Sequence, residues 1–153
     1  MTRLSPEMRD QGRAVAGRWE LFSHSADVGV RGIGPTKARA FEMAAMALTA
    51  AICDPDSITP TRPVDIACEA PDIELLLVAW LNAVIYEMAT RRMVFGRYDV
   101  DIAGLQLQGH AWGEAVDVER HNPGVEAKGA TFTELRVAPH PDGGWVAQCV
   151  VDV

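Results

Sequence analysis

The stretch YDVDIAGLQLQ, residues 98–108, decides how the chain is read. Tyr98, Val100 and Ile102 alternate with Asp99 and Asp101, and Leu105 and Leu107 alternate with Gln106 and Gln108. This period of two puts one face of a strand in a core and the other in water. Ala103-Gly104 between the runs predicts a tight hairpin. Downstream, residues 127–137 and 145–151 predict two more strands, with Pro141-Asp142-Gly143-Gly144 as the turn between them. Upstream the period lengthens: Phe41, Ala44, Ala45, Leu48, Ala51 and Ile52 recur at spacings of one helical face, with Thr36 as N-cap and Pro55 as the stop. Residues 62–69 read as a strand. Pro71, with Asp72 and Glu74, then opens a second helix whose core stripe is Ile73, Leu77, Trp80, Val84 and Met88, with Arg91 and Arg92 complementing its end. Nearer the start, Trp19–His24 and Val28–Ile33 predict two short strands around an exposed bend at Ser25-Ala26-Asp27. Strands outnumber helices, so the expected class is α+β: an antiparallel or mixed sheet with two helices packed on it, one domain over residues 19–153.

Composition narrows the function. With 153 residues, 48% apolar and 23% charged, the chain can bury roughly two thirds of its unfolded surface. It needs no metal merely to fold, so any metal site is functional. Residues 1–18 carry Arg3, Arg9, Arg13 and Arg18 without a sustained period and read as a flexible extension. Beyond them 10 basic face 19 acidic groups, a net charge of −9. No linear Lys/Arg cluster follows Arg18, which speaks against direct nucleic-acid binding. Cys53, Cys68 and Cys149 are odd in number and set in apolar sequence, the usage of buried, reduced thiols in a cytoplasmic protein. The first residues lack a secretory core. The longest apolar run, taken as Met43–Cys53, is too short to cross a bilayer.

Three places hold chemistry. In His24-Ser25-Ala26-Asp27, the Asp27 carboxylate either caps its own turn or faces a cleft, and His24 is then a strand residue or a neighbour of that cleft. At the far end, Asp152 adjoins the main-chain carboxylate of Val153, either as a solvated terminus or as a site. If that end lies beside the first bend, three carboxylates meet, and like charges so close require a cation. An all-oxygen set suits Ca²⁺, or Mg²⁺, better than zinc. The third place is residues 113–134, where Asp117, Glu119, His121, Glu126 and Lys128 crowd a segment broken by Pro123-Gly124. Asp117 and His121 are four apart, but the break favours a solvated loop. His110 and His140 lack ligand spacing and read as surface residues. No GxSxG, GxxxxGK[ST], GxGxxG or HExxH pattern occurs, so no catalytic residue is assigned.

Taken together, HSADVGV at 24–30, PDIELLLVAWLNAVIY at 71–86, GEAVD at 113–117 and the terminal WVAQCVVDV resemble the archease family over about residues 19–153. The resemblance implies an accessory protein rather than an enzyme: an activator of an RtcB-type tRNA-splicing RNA ligase that promotes ligase guanylylation and multiple turnover. It implies a divalent cation, Ca²⁺ foremost, on Asp27, Asp152 and Val153, and makes His24, Asp117, His121, Glu126 and Lys128 supporting or partner-contacting candidates. Glu126, Lys128 and Thr131 match the family pattern of their segment, whereas Thr133 stands where a histidine is usual. Two other readings remain at this point: a metal-dependent phosphoesterase using His24 or His121 as acid or base, and a chaperone-like module with an exposed apolar face.

Overall fold

The computed structural model describes residues 16–153, so residues 1–15 of the expected extension lie outside the described residues. In chain order the elements are β1 (Arg18–His24), β2 (Asp27–Gly34), α1 (Lys37–Ile52), a 3-10 turn (Pro55–Ser57), β3 (Arg62–Glu69), α2 (Ile73–Arg91), β4 (Met93–Ala103), β5 (Gln106–Ala115), α3 (Val118–His121), β6 (Gly129–Ala130), β7 (Arg136–Pro139) and β8 (Trp145–Asp152). The α+β class stands. The strands divide into two antiparallel sheets rather than one: β1-β2-β8-β6, with β7 also on β8, and β3-β5-β4.

The expected helix start is met at α1, where the Thr36 hydroxyl accepts the Arg39 N–H at 3.1 Å. At α2 the cap is Asp72, whose carboxylate accepts the Leu75 N–H at 2.8 Å; Pro71 therefore sits ahead of the cap and not inside the first turn. Among the described residues α2, rather than the shorter Met43–Cys53 run, is the helix long and apolar enough to cross a membrane. Its Leu76, Leu77, Trp80, Leu81 and Val84 are completely buried, and the Trp80 indole donates to the Phe41 carbonyl of α1 at 3.0 Å. These are the contacts of an interior helix.

The strands around YDVDIAGLQLQ run further than their alternation predicts. The register shifts between Phe95 and Arg97, so Phe95 and Tyr98 are both buried although three residues apart. A bulge of this kind hides a strand from a strict period-two reading. The turn lies at Gly104-Leu105, one residue later than expected, with Gly104 at φ +63°. Ala103 still belongs to β4 and pairs with Gln106. The expected strand over 127–137 is two fragments, β6 and β7, separated by a turn with Glu134 at φ +55°.

The two long helices, α1 and α2, contact both sheets and share one hydrophobic core with them. Gly32 of β2 marks the closest approach, because a Cβ there meets the backbone of Ala40 and Ala44 in α1. Cys53 and Cys149 are buried free thiols, and burial pushes the Cys149 thiol up to about 12. Cys68 is only half-buried.

Candidate functional site

The first hairpin is tighter than a bend. His24 pairs with Asp27 across a two-residue turn, and Ser25 takes a left-handed φ of +53°. Asp27 thus begins β2 instead of standing in an exposed loop. β8 runs antiparallel beside it, with Val28 opposite Val151. That pairing ends at Val28 and Val151, and Asp27 and Asp152 are the next residues along their strands, which the two-residue alternation places on the same face of the sheet. The Val153 N–H donates to Asp27 Oδ1 at 3.3 Å, and among the described residues this is the hydrogen bond the Asp27 carboxylate makes. It does not cap its own turn.

β6 closes the other side. Gly129 pairs with Asp152, and the Lys128 N–H donates to the Asp152 carbonyl at 2.8 Å. Asn82, an amide in an otherwise apolar stretch of α2, accepts the Ala130 N–H at 2.8 Å and anchors this short strand. Thr131 donates its hydroxyl to the Val150 carbonyl at 2.8 Å, and the Thr133 carbonyl accepts the Val150 N–H at 3.0 Å. Thr133 therefore keeps its backbone role without an imidazole. His24, Asp27, Lys128, Asp152 and Val153 consequently meet at one end of this sheet. Among the described residues Asp27 and Asp152 make no salt bridge.

The donor set fits a hard cation in kind: two side-chain carboxylates from neighbouring strands and a main-chain oxygen at Val153. Among the described residues no three His, Cys, Asp or Glu side chains group as metal ligands. The main chain at Val153, next to Asp27 through its N–H, offers a third protein oxygen.

Asp117 and His121 belong elsewhere, and the loop expected for them contains a helical turn. The Asp117 carboxylate caps α3 by accepting the Glu119 and Arg120 N–H groups, each at 3.2 Å. The His121 Nδ1 accepts the Asp117 N–H at 2.8 Å, so the ring proton sits on Nε2 and donates to Glu114 at 2.8 Å. Arg120 forks onto the same carboxylate at 2.7 and 3.1 Å, and the Thr59 N–H adds a bond at 2.8 Å. Arg120 above all holds the Glu114 carboxyl down at about 2, helped by Thr59 and His121. Nothing in the sequence marks Glu114 and Arg120 as partners. With its ring buried and both nitrogens engaged, His121 is a structural clamp. Glu126 lines a third place, an apolar groove of about 370 Å³ with Ile52, Ile85 and Met88. His110 and His140 pair loosely with Asp65 and Asp142.

Residues 19–153 match the archease protein family (MTH1598/TM1083). Protein archease of Pyrococcus furiosus is 37% identical over 140 residues, covering 89% of this chain and 99% of that one. Protein archease of Methanosarcina barkeri is 31% identical over 151 residues, covering 95% and 100%. Among solved structures, protein 1598 of Methanobacterium thermoautotrophicum aligns with a TM-score of 0.77 at 27% identity, over 88% of this chain and 98% of that one. An archease from Thermotoga maritima, described as a possible chaperone, aligns with a TM-score of 0.59 at 18% identity over 88% and 96%, and speaks for the fold alone.

Proposed function

The chain belongs to the archease family, and from that premise we propose that it is a non-catalytic activator of an RtcB-type tRNA-splicing RNA ligase. It promotes guanylylation and multiple turnover of the ligase in the cytoplasm. The observation that carries the reading is the Val153 N–H on Asp27 Oδ1, at 3.3 Å, with Asp152 one register step away. Two carboxylates facing each other without a counter-charge raise their mutual repulsion, which a divalent cation relieves. Asp27, Asp152 and a main-chain oxygen of Val153 hold that cation, with Ca²⁺ preferred over Mg²⁺ because water and strand ends supply an irregular oxygen shell more readily than an octahedron. His24 and Lys128 flank it.

A bound cation supplies charge neutralisation and rigidity at this tip; the chain's own residues do the rest. The Val153 N–H orients the Asp27 carboxylate, the pairing of β6 with Asp152 fixes the second strand end, and the acidic surface around them favours encounter with a basic ligase surface. Guanylylation of the cognate ligase is the test. Stimulation by this protein is expected to vanish on adding chelator and in Asp27→Ala, while circular dichroism stays native. Stimulation that survives in a folded Asp27→Ala protein overturns the proposal. Steady turnover of a phosphodiester by the protein alone would favour the phosphoesterase reading instead.

A further inference from the structure

The outer face of the β1-β2-β8 sheet has a second end, and there the charge reverses. Glu20, Arg31, Gln148 and Arg136 stand in one row across β1, β2, β8 and β7, each opposite the next. With Arg18, Ile33, Val146, His140 and Pro141 they line a groove of about 250 Å³. No linear cluster of basic residues follows Arg18, yet pairing of distant strands assembles one from residues 18, 31 and 136.

The row is organised around Arg31. Its Nε donates to Gln148 Oε1 at 2.8 Å, its Nη1 donates to Glu20 Oε1 at 2.9 Å, and its guanidinium lies 4.6 Å over the Phe22 ring. Gln148 is buried, and its own amide is fixed by donating to the Glu134 carbonyl at 3.1 Å. The second Glu20 oxygen takes Arg18 Nε at 3.4 Å. Each oxygen of the groove's single carboxylate thereby already carries one arginine. Arg31 Nη2, both terminal nitrogens of Arg18, and the whole guanidinium of Arg136 have no protein acceptor among the described residues. His140 Nδ1 accepts the Asp142 N–H at 3.1 Å, which leaves its Nε2 as a further N–H donor. Three guanidiniums against one carboxylate give a local surplus of positive charge on a strongly acidic chain.

We propose that this groove binds a small phosphate-bearing anion through Arg18, Arg31 and Arg136. Planar forks match phosphate oxygens two at a time, and Arg31 is held in place before any ligand arrives, which lowers the entropy lost on binding. A small ligand is favoured over a polynucleotide because the site is short and the chain beyond Arg18 is net −9, which repels a long polyanion but is screened over about 8–10 Å in physiological salt.

Calorimetric titration of the full chain with sodium pyrophosphate, in metal-free buffer at fixed ionic strength, tests this. Arg136→Gln removes an exposed side chain and is expected to weaken binding roughly tenfold, as loss of a charge-assisted pair does. Arg97→Gln, on the other sheet, is expected to leave it unchanged. Equal weakening in both variants would mean a bulk-charge effect and overturn the site, as would unchanged affinity in Arg136→Gln. Adenosine triphosphate is expected to compete with pyrophosphate. Competition by a short RNA but not by the nucleotide would overturn the small-ligand assignment.

Discussion

Two acidic groups of this molecule look alike in sequence and behave as opposites in the fold. Glu114 receives four hydrogen bonds from Arg120, Thr59 and His121, so its charge is consumed inside the protein. Asp27 and Asp152 stand side by side with one long hydrogen bond between Asp27 and Val153 and no cationic partner among the described residues. A saturated carboxylate holds structure together. An unsaturated pair, held at the end of a rigid sheet, is left for something that comes from outside.

The comparison breaks first at the open pair. Asp27→Ala or Asp152→Ala is expected to lower Ca²⁺ affinity by roughly 100-fold or more, since altering even the groups around metal ligands costs about 10–100-fold. Titration calorimetry reads this, and an unchanged affinity would place any cation elsewhere. At the closed cluster the expected effect is on stability instead. His121→Ala strands the Asp117 N–H and opens a cavity, a loss of about 2–3 kcal/mol in urea unfolding, while the folded variant is expected to behave as wild type in the guanylylation assay that tests the proposed function.

Acid sharpens the contrast. The Glu114 carboxyl has its ordinary value near 4.5 when unfolded and about 2 when folded. A depressed folded value means that its stabilisation is complete above about 4.5 and is lost as pH falls from there towards 2. Unfolding midpoints measured between pH 5 and 2.5 should fall less steeply in Glu114→Gln, and identical slopes would show that this carboxylate is not the titrating anchor. The smallest effect is expected at Lys128, whose side chain is exposed and whose main-chain N–H donates to the Asp152 carbonyl. Lys128→Gln should tighten Ca²⁺ binding only about twofold to fivefold, the scale of an exposed charge interaction.

Legibility followed locality. The Arg62–Glu69 strand, the Thr36 cap and the helix through Trp80 are written in spacings of two to four residues, and the structure returns them. β4 was half hidden because the irregularity after Phe95 interrupts the alternation on which the reading depends. α3 was hidden because a four-residue helix is too short to show a period. The open carboxylates were found by their chemistry and by resemblance, and their neighbourhood follows from one register. Glu114 with Arg120 and Thr59, and Arg18 with Arg31 and Arg136, had no such signal: strand pairing brings them together, and nothing local states which strands will pair.

The central position of β8 has a consequence for how the molecule is made. β8 pairs with β2 on one side and with β6 and β7 on the other, yet it follows all of them in chain order. While a ribosome is still supplying residues before Trp145, the three-stranded β3-β5-β4 sheet has every strand it needs, but β2 shows an unpaired inner edge and Asp27 lacks its neighbour. The nascent chain therefore carries an exposed edge until β8 is made, and both charged ends of that sheet face come into being together when β8 pairs.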